Sequence, residues 1–170
     1  ASQSIILDED MSTDPGGTLD GDAVYVSGSY VRLTEAVNSQ FGTFYYTIDQ
    51  GNYLIIDFEL WAGGGTGADG IDVYWHTDNE STVGSNINGY AVEFDEFNNT
   101  IELYRNGTLL SQASESNIDN STWRTVRIIF DNHTIHVFFD GDLVISYANT
   151  EVNPAGSILG WGGRTGGSNN

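Results

Sequence analysis

Residues 123–147, WRTVRIIFDNHTIHVFFDGDLVISY, decide the fold. Period-two alternation runs through 123–130, resumes over 134–139 and resumes again over 143–147, as a half-buried strand requires. In the first run Trp123, Thr125, Arg127 and Ile129 share one face, and Arg124, Val126, Ile128 and Phe130 share the other. Asp140-Gly141 joins the second and third runs, and Asp-Gly between apolar runs is a strong short-range signal for a tight hairpin. The segment therefore reads as successive antiparallel strands.

The same period recurs over 4–7, 23–26, 30–33, 43–48, 53–60, 71–76, 90–94, 100–104 and 157–161, and no helical stripe appears. Turn signals punctuate the runs at Asp14-Pro15-Gly16, Asp20-Gly21, Gly63-Gly64-Gly65 and Asn106-Gly107. About a dozen short antiparallel strands without a helix make a single all-β domain over 1–170, a β-sandwich or jelly roll. Each of Trp61, Trp75, Trp123 and Trp161 serves either the core or a ligand platform.

Composition narrows the function. The chain has 170 residues, with 39% hydrophobic and 12% aromatic content, enough for one real core. It carries 24 acidic residues against five arginines and no lysine, a formal charge of −19. Such a surface repels nucleic acid and anionic membranes, attracts divalent cations, and suits a neutral ligand such as a sugar. No apolar run reaches the roughly 20 residues of a membrane helix, so no membrane insertion is expected. Cysteine is absent, and the three histidines offer no zinc pair on one strand face. Sequons at Asn79, Asn98, Asn106, Asn120 and Asn132 fit either a secreted glycoprotein or a chain simply rich in Asn, Ser and Thr.

The chemistry concentrates at 90–99, YAVEFDEFNN. Glu93 and Asp95, two apart on a strand, share a face and invite a glycosidase reading. A retaining pair needs carboxyls about 5–5.5 Å apart with one acting as acid/base. Glucanases on concanavalin-like jelly rolls follow such a Glu-x-Asp with an acid/base glutamate two or three residues after the aspartate, where this chain has Phe97 and Asn98. Catalysis is therefore disfavoured. Read as ligands, the Asp95 carboxylate, the Phe97 carbonyl and the Asn99 amide oxygen make a hard-oxygen set suited to calcium. Glu96 reads as solvent-facing.

Four segments in order resemble the L-type (legume-type) lectins of the concanavalin A-like superfamily, especially the bacterial and animal branches: VRLTEAVNSQFGTFYY (31–46), GGGTGADGIDVYW (63–75), YAVEFDEFNN and ILGWGGRTGGSNN (158–170). The resemblance implies a concanavalin A-like β-sandwich that binds glycans through calcium without catalysis, as an extracellular or surface adhesion module. Asp69 matches the sugar-binding aspartate, after a cis peptide from Ala68. Asn99 serves both sugar and calcium, and Phe97 lends its carbonyl to the ion and its ring to the sugar. Gly166 and Gly167 present backbone N–H groups to the sugar, and Asp95 is the main calcium carboxylate. A late carboxylate comes from Glu115, with Asp119 as the alternative. Specificity falls to loops around 81–89 and 164–170. The aspartate and histidine that complete a two-metal site in legume members have no counterpart after Asn99, so no transition metal is expected. The family's last C-terminal strand is also missing from the pattern, which leaves open edges for a homo-oligomer or filament. The alternative function is accordingly a structural subunit of a surface layer, capsid or filament with a vestigial sugar site.

Overall fold

The computed structural model describes residues 4–67, 69–79, 87–131, 133–148 and 156–167. Thirteen strands follow one another: β1 Thr18–Gly21, β2 Val24–Val26, β3 Tyr30–Arg32, β4 Phe41–Thr47, β5 Tyr53–Leu60, β6 Gly70–Thr77, β7 Tyr90–Asp95, β8 Thr100–Arg105, β9 Thr108–Ser114, β10 Arg124–Asp131, β11 Thr134–Phe139, β12 Asp142–Ala148 and β13 Ile158–Arg164. A seven-stranded sheet runs in the order β1-β4-β13-β6-β7-β8-β9 and a four-stranded sheet in the order β12-β11-β10-β5, with β2-β3 a separate ribbon. Every pairing is antiparallel.

The two sheets bury their facing sides on each other. Leu54, Ile56, Val126, Ile128, Phe130, Ile135, Val137 and Phe139 from the smaller sheet meet Val73, Trp75, Tyr90, Val92, Phe94, Ile101 and Leu103 from the larger. Period two is what puts these residues on one side. On β10 the inward set is Val126, Ile128 and Phe130, while Thr125 and Arg127 face water. Phe130 crosses between the layers, its ring 4.9 Å from Tyr90 and 5.7 Å from Trp75. Both dipeptide turns form as read: Asn106 and Gly107 have φ of 48° and 73°, Asp140 and Gly141 of 49° and 85°, the left-handed pair that a tight hairpin needs.

Two sequence expectations change, and the reading of the tryptophans, left open between core and platform, is resolved. Residues 4–7 form no strand, and Ile5 stays 78% exposed. Strands β1 and β9 were not legible, because both lie at sheet edges with largely exposed side chains and little apolar alternation. Trp75 is core and Trp161 packs against it, but Trp61 and Trp123 are 41% and 50% exposed.

Truncating Phe130 to alanine leaves a cavity at the crossing point of both layers. A loss of about 3–5 kcal/mol is expected, measurable by urea denaturation followed by tryptophan fluorescence.

Candidate functional site

One corner of the seven-stranded sheet gathers loops that are far apart in sequence. Asp69 sits just before β6, where its N–H donates to the Arg164 carbonyl (2.9 Å) and its carbonyl accepts from the Glu96 N–H (3.2 Å). These two bonds tie the start of β6 to the end of β13 and to the turn after β7. The Asp69 carboxylate is partly exposed and lies 3.1 Å from Arg164 Nε. A Cβ added at Gly166 would stand 2.9 Å from both Asp69 carboxylate oxygens. Glycine is required there by the close approach of backbone to carboxylate.

The turn after β7 holds the other expected residues. Asp95 accepts from the Asn98 N–H and from Asn98 Nδ2, both at 2.7 Å. Asn99 takes a left-handed φ of 56°, a conformation asparagine tolerates better than most residues. The Phe97 ring is 69% exposed at the tip. The Glu115 N–H donates to the Asn99 carbonyl at 2.8 Å, while its carboxylate turns to the N–H and amide of Asn117. Asp119 lies against the glycine loop instead: its Oδ2 would be 2.6 Å from a Cβ at Gly67. The Ser121 N–H, two residues on, donates to the Ala62 carbonyl. Gly167 is exposed, and Ala68, with the peptide linking it to Asp69, lies outside the described residues, as do 81–86 and 168–170 of the specificity loops and Asn132.

Glu96 corrects its sequence reading. It is 2% exposed rather than solvent-facing, and neither carboxylate oxygen has a hydrogen-bond partner. Burial first, then the charges of Asp119, Asp95 and Asp69, push its carboxyl up to about 8. Among the described residues no three acidic or histidine side chains converge as a metal-holding group. An ion here would therefore draw on amide and backbone oxygens as well. The donor set, Asp95, the Phe97 carbonyl, Asn99 and the unpartnered Glu96 carboxylate, is all hard oxygen and fits calcium.

Sequence reasoning missed a third wall. Thr165, almost wholly buried, donates its hydroxyl to the Val37 carbonyl (2.6 Å), while its Oγ1 accepts from the Gln40 N–H (2.9 Å). The Ser39 N–H and Asn38 Nδ2 bond the Gly166 and Gly167 carbonyls at 3.1 and 2.9 Å. Ser39, Gln40, Phe41, Arg164, Thr165 and Gly166 line an open groove of about 380 Å³ beside Asp69. No local motif marks residues 37–40, because their role comes from pairing across 125 or more positions.

A second acidic group lies further along the same sheet face. Register places Asp72 opposite Glu93 and Glu93 opposite Glu102 across β6, β7 and β8. Glu102 accepts from Thr100 Oγ1 at 2.9 Å and, over a short hydrogen bond, from the Tyr104 hydroxyl. Burial raises the Tyr104 hydroxyl well above its ordinary range, reinforced by that bond. Burial, then Asp72, Glu102, Asp95 and Asp69, push Glu93 up to about 8. Asp72, Glu93 and Glu102 are 0%, 5% and 9% exposed, buried on the sheet face opposite the main core, whose side of the same strands carries Val73, Val92, Phe94, Ile101 and Leu103.

The 3-keto-alpha-glucoside-1,2-lyase-like domain family matches residues 9–159. No individual curated protein matches by sequence. Among solved structures, the exoplasmic/lumenal domain of VIP36 in its Ca2+/Man3GlcNAc-bound form is similar with a TM-score of 0.78 at 18% identity, over 96% of this chain and 83% of that one. Its metal-free form gives 0.77 at 17%, over 93% and 82%. The potassium-bound carbohydrate recognition domain of Emp46p gives 0.68 at 14%, over 89% and 83%. The fold is that of the L-type lectin domains, a concanavalin A-like β-sandwich.

Glu93 and Glu96 both hold protons more tightly folded than unfolded, with carboxyls near 8 against an ordinary 4.5. The folded state thus binds more protons between those values, and stability falls as pH rises through that window. In EDTA, the Tm by circular dichroism should drop from pH 5 to pH 8.5, and Glu93→Gln should flatten the slope.

Proposed function

Because the chain belongs to the 3-keto-alpha-glucoside-1,2-lyase-like domain family and folds as an L-type lectin domain, we propose that it binds glycans through a calcium-ordered corner and does not cleave them. The observation that carries this reading is the seat of Asp69. Backbone bonds on both sides hold it, a glycine backbone lies against its carboxylate, and the exposed Phe97 ring and Asn99 stand on the neighbouring turn.

In this reading Asp69 accepts hydrogen bonds from sugar hydroxyls and Asn99 donates its amide N–H to the sugar. Phe97 offers a flat apolar face to the pyranose, and the Gly166-Gly167 backbone closes the far side. Asp95, the Phe97 carbonyl and Asn99 would hold calcium, with Asp119 better placed than Glu115, whose carboxylate is already engaged by Asn117. Bound calcium would supply the positive charge that offsets the crowded carboxylates. Arg164 is the new element: paired with Asp69, it orients that carboxylate and sets one wall of the groove. A secreted or surface location accords with VIP36, whose solved domain is exoplasmic/lumenal.

The buried acid row favours a second reading, cleavage of a sugar substrate, in keeping with the lyase in the family's name. Glu102 supplies, from across the strands, a second glutamate that the positions after Asp95 do not. Binding is preferred because Asp72 is fully buried and Glu102 is already bonded to Thr100 and Tyr104. Turnover of a β-glucan or 3-keto-glucoside, lost in Glu93→Gln, would establish the second reading.

Glycan-array binding in millimolar calcium, followed by calorimetry on the best glycan, tests the first. Heat should vanish with EDTA and in Asp69→Asn, and Gly166→Ala should weaken binding at least tenfold by displacing the Asp69 carboxylate. An array with no bound sugar overturns the proposal.

A further inference from the structure

Nothing in the binding corner uses Trp61 or Trp123. Tryptophan is highly buried on average, yet these two are 41% and 50% exposed. Strand pairing brings them to one place. Register sets Leu60 on β5 opposite Arg124 on β10, so Trp61 and Trp123 occupy the next position on either strand's extension. Leu60 turns into the core, and Trp61 beside it turns out to water. Tyr30 on β3 meets Trp123 edge-on, ring centroids 6.0 Å apart and planes at 63°, which fixes the indole's orientation.

This aromatic ledge is continuous with the corner. Trp61 opens the glycine loop, whose far end at Gly67 packs on Asp119. A Cβ at Gly64 would stand 3.8 Å from both Trp61 Cη2 and Ala36 Cβ, so the indole lies against that loop and against Ala36. The next residue, Val37, accepts from the Thr165 hydroxyl in the groove wall. On the other side, Asp119 and Trp123 are four positions apart, a span of at most about 14 Å. The Ser121 N–H, between them, donates to the Ala62 carbonyl at 3.0 Å and ties the two loops together.

The chemistry of the ledge selects its occupant. An indole face is flat, apolar and electron-rich, and suits the C–H face of a pyranose. Glu59 and Thr125, opposite each other in register and both exposed, lie one step along the same strands and offer hydrogen bonds to ring hydroxyls. A second copy of this chain would bring its own charge of −19 against this one, a repulsion that a neutral sugar does not meet.

We propose that Trp61 and Trp123 form an extended sugar subsite, stacking on the distal rings of an oligosaccharide whose terminal residue sits at Asp69. The preferred ligand class is then an oligosaccharide rather than a single sugar. The inference rests on the glycan reading above and deepens it.

Glucose, mannose and galactose, with their linear oligosaccharides of two to six residues, serve as probes for calorimetry in millimolar calcium. Wild type should bind the best tetrasaccharide at least tenfold more tightly than its monosaccharide. Trp61→Ala and Trp123→Ala should bring that ratio towards one, and Trp123→Tyr, which keeps a flat ring, should restore part of it. Tyr53→Ala, an exposed aromatic at the other end of β5, should leave the ratio at its wild-type value. Acrylamide quenching of indole emission gives a second readout on the unaltered chain: the tetrasaccharide should protect and the monosaccharide should not. A wild-type ratio near one, or one unchanged in both alanine variants, overturns the ledge and leaves the Asp69 corner intact. A wild-type dimer that Trp61→Ala converts to a monomer in sedimentation assigns the pair to a second copy and also overturns it. Binding of none of these probes overturns the ledge, and if the glycan array is blank as well the glycan reading falls with it.

Discussion

Two backbone hydrogen bonds on Asp69 hold this corner of the molecule together. One reaches the Arg164 carbonyl at the end of β13, the other the Glu96 N–H after β7. Backbone bonds cannot be exchanged by rotating a side chain, so the carboxylate is aimed by the sheet itself. The glycine-rich loop after β13, the acidic turn after β7 and the loop at 37–40 all take their positions relative to this point. Thr165, buried with its hydroxyl in two hydrogen bonds, locks the last of these in place.

Not all of the chain's acids are solvated. An excess of acids spread over a surface is solvated and cheap, but here several are buried: Asp72, Glu93, Glu96 and Glu102 are all within a tenth of full burial. Two of them hold protons to about pH 8. A sandwich of this size has limited stability to offset such burial.

Much of the architecture was legible along the chain. Alternation at 123–130 and 134–139 and the turns at Asn106-Gly107 and Asp140-Gly141 report local backbone preferences, and those survive into the fold. Edge strands were not, because β1 and β9 bury little and owe their existence to a neighbour's unpaired backbone. For the same reason the apolar run at 4–7, which has alternation but no partner, is not a strand. Within the site, Asp95, Phe97 and Asn99 could be grouped because one turn carries them, and Asp69 only through likeness to a known family.

Sequence by itself determined the class: period two and turn chemistry specify an antiparallel sandwich. Tertiary structure alone decided which acids are buried and which lie together. Whether a carboxylate is solvated or buried depends on the strands and loops that happen to cover it, and those come from distant positions. Glu96 reads as a surface residue in its own turn and is a buried acid in the fold, with Asp119 and Asp69 from distant positions acting on it. Glu102 joins Glu93 only through strand register, and residues 37–40 join the site only through the far end of the chain.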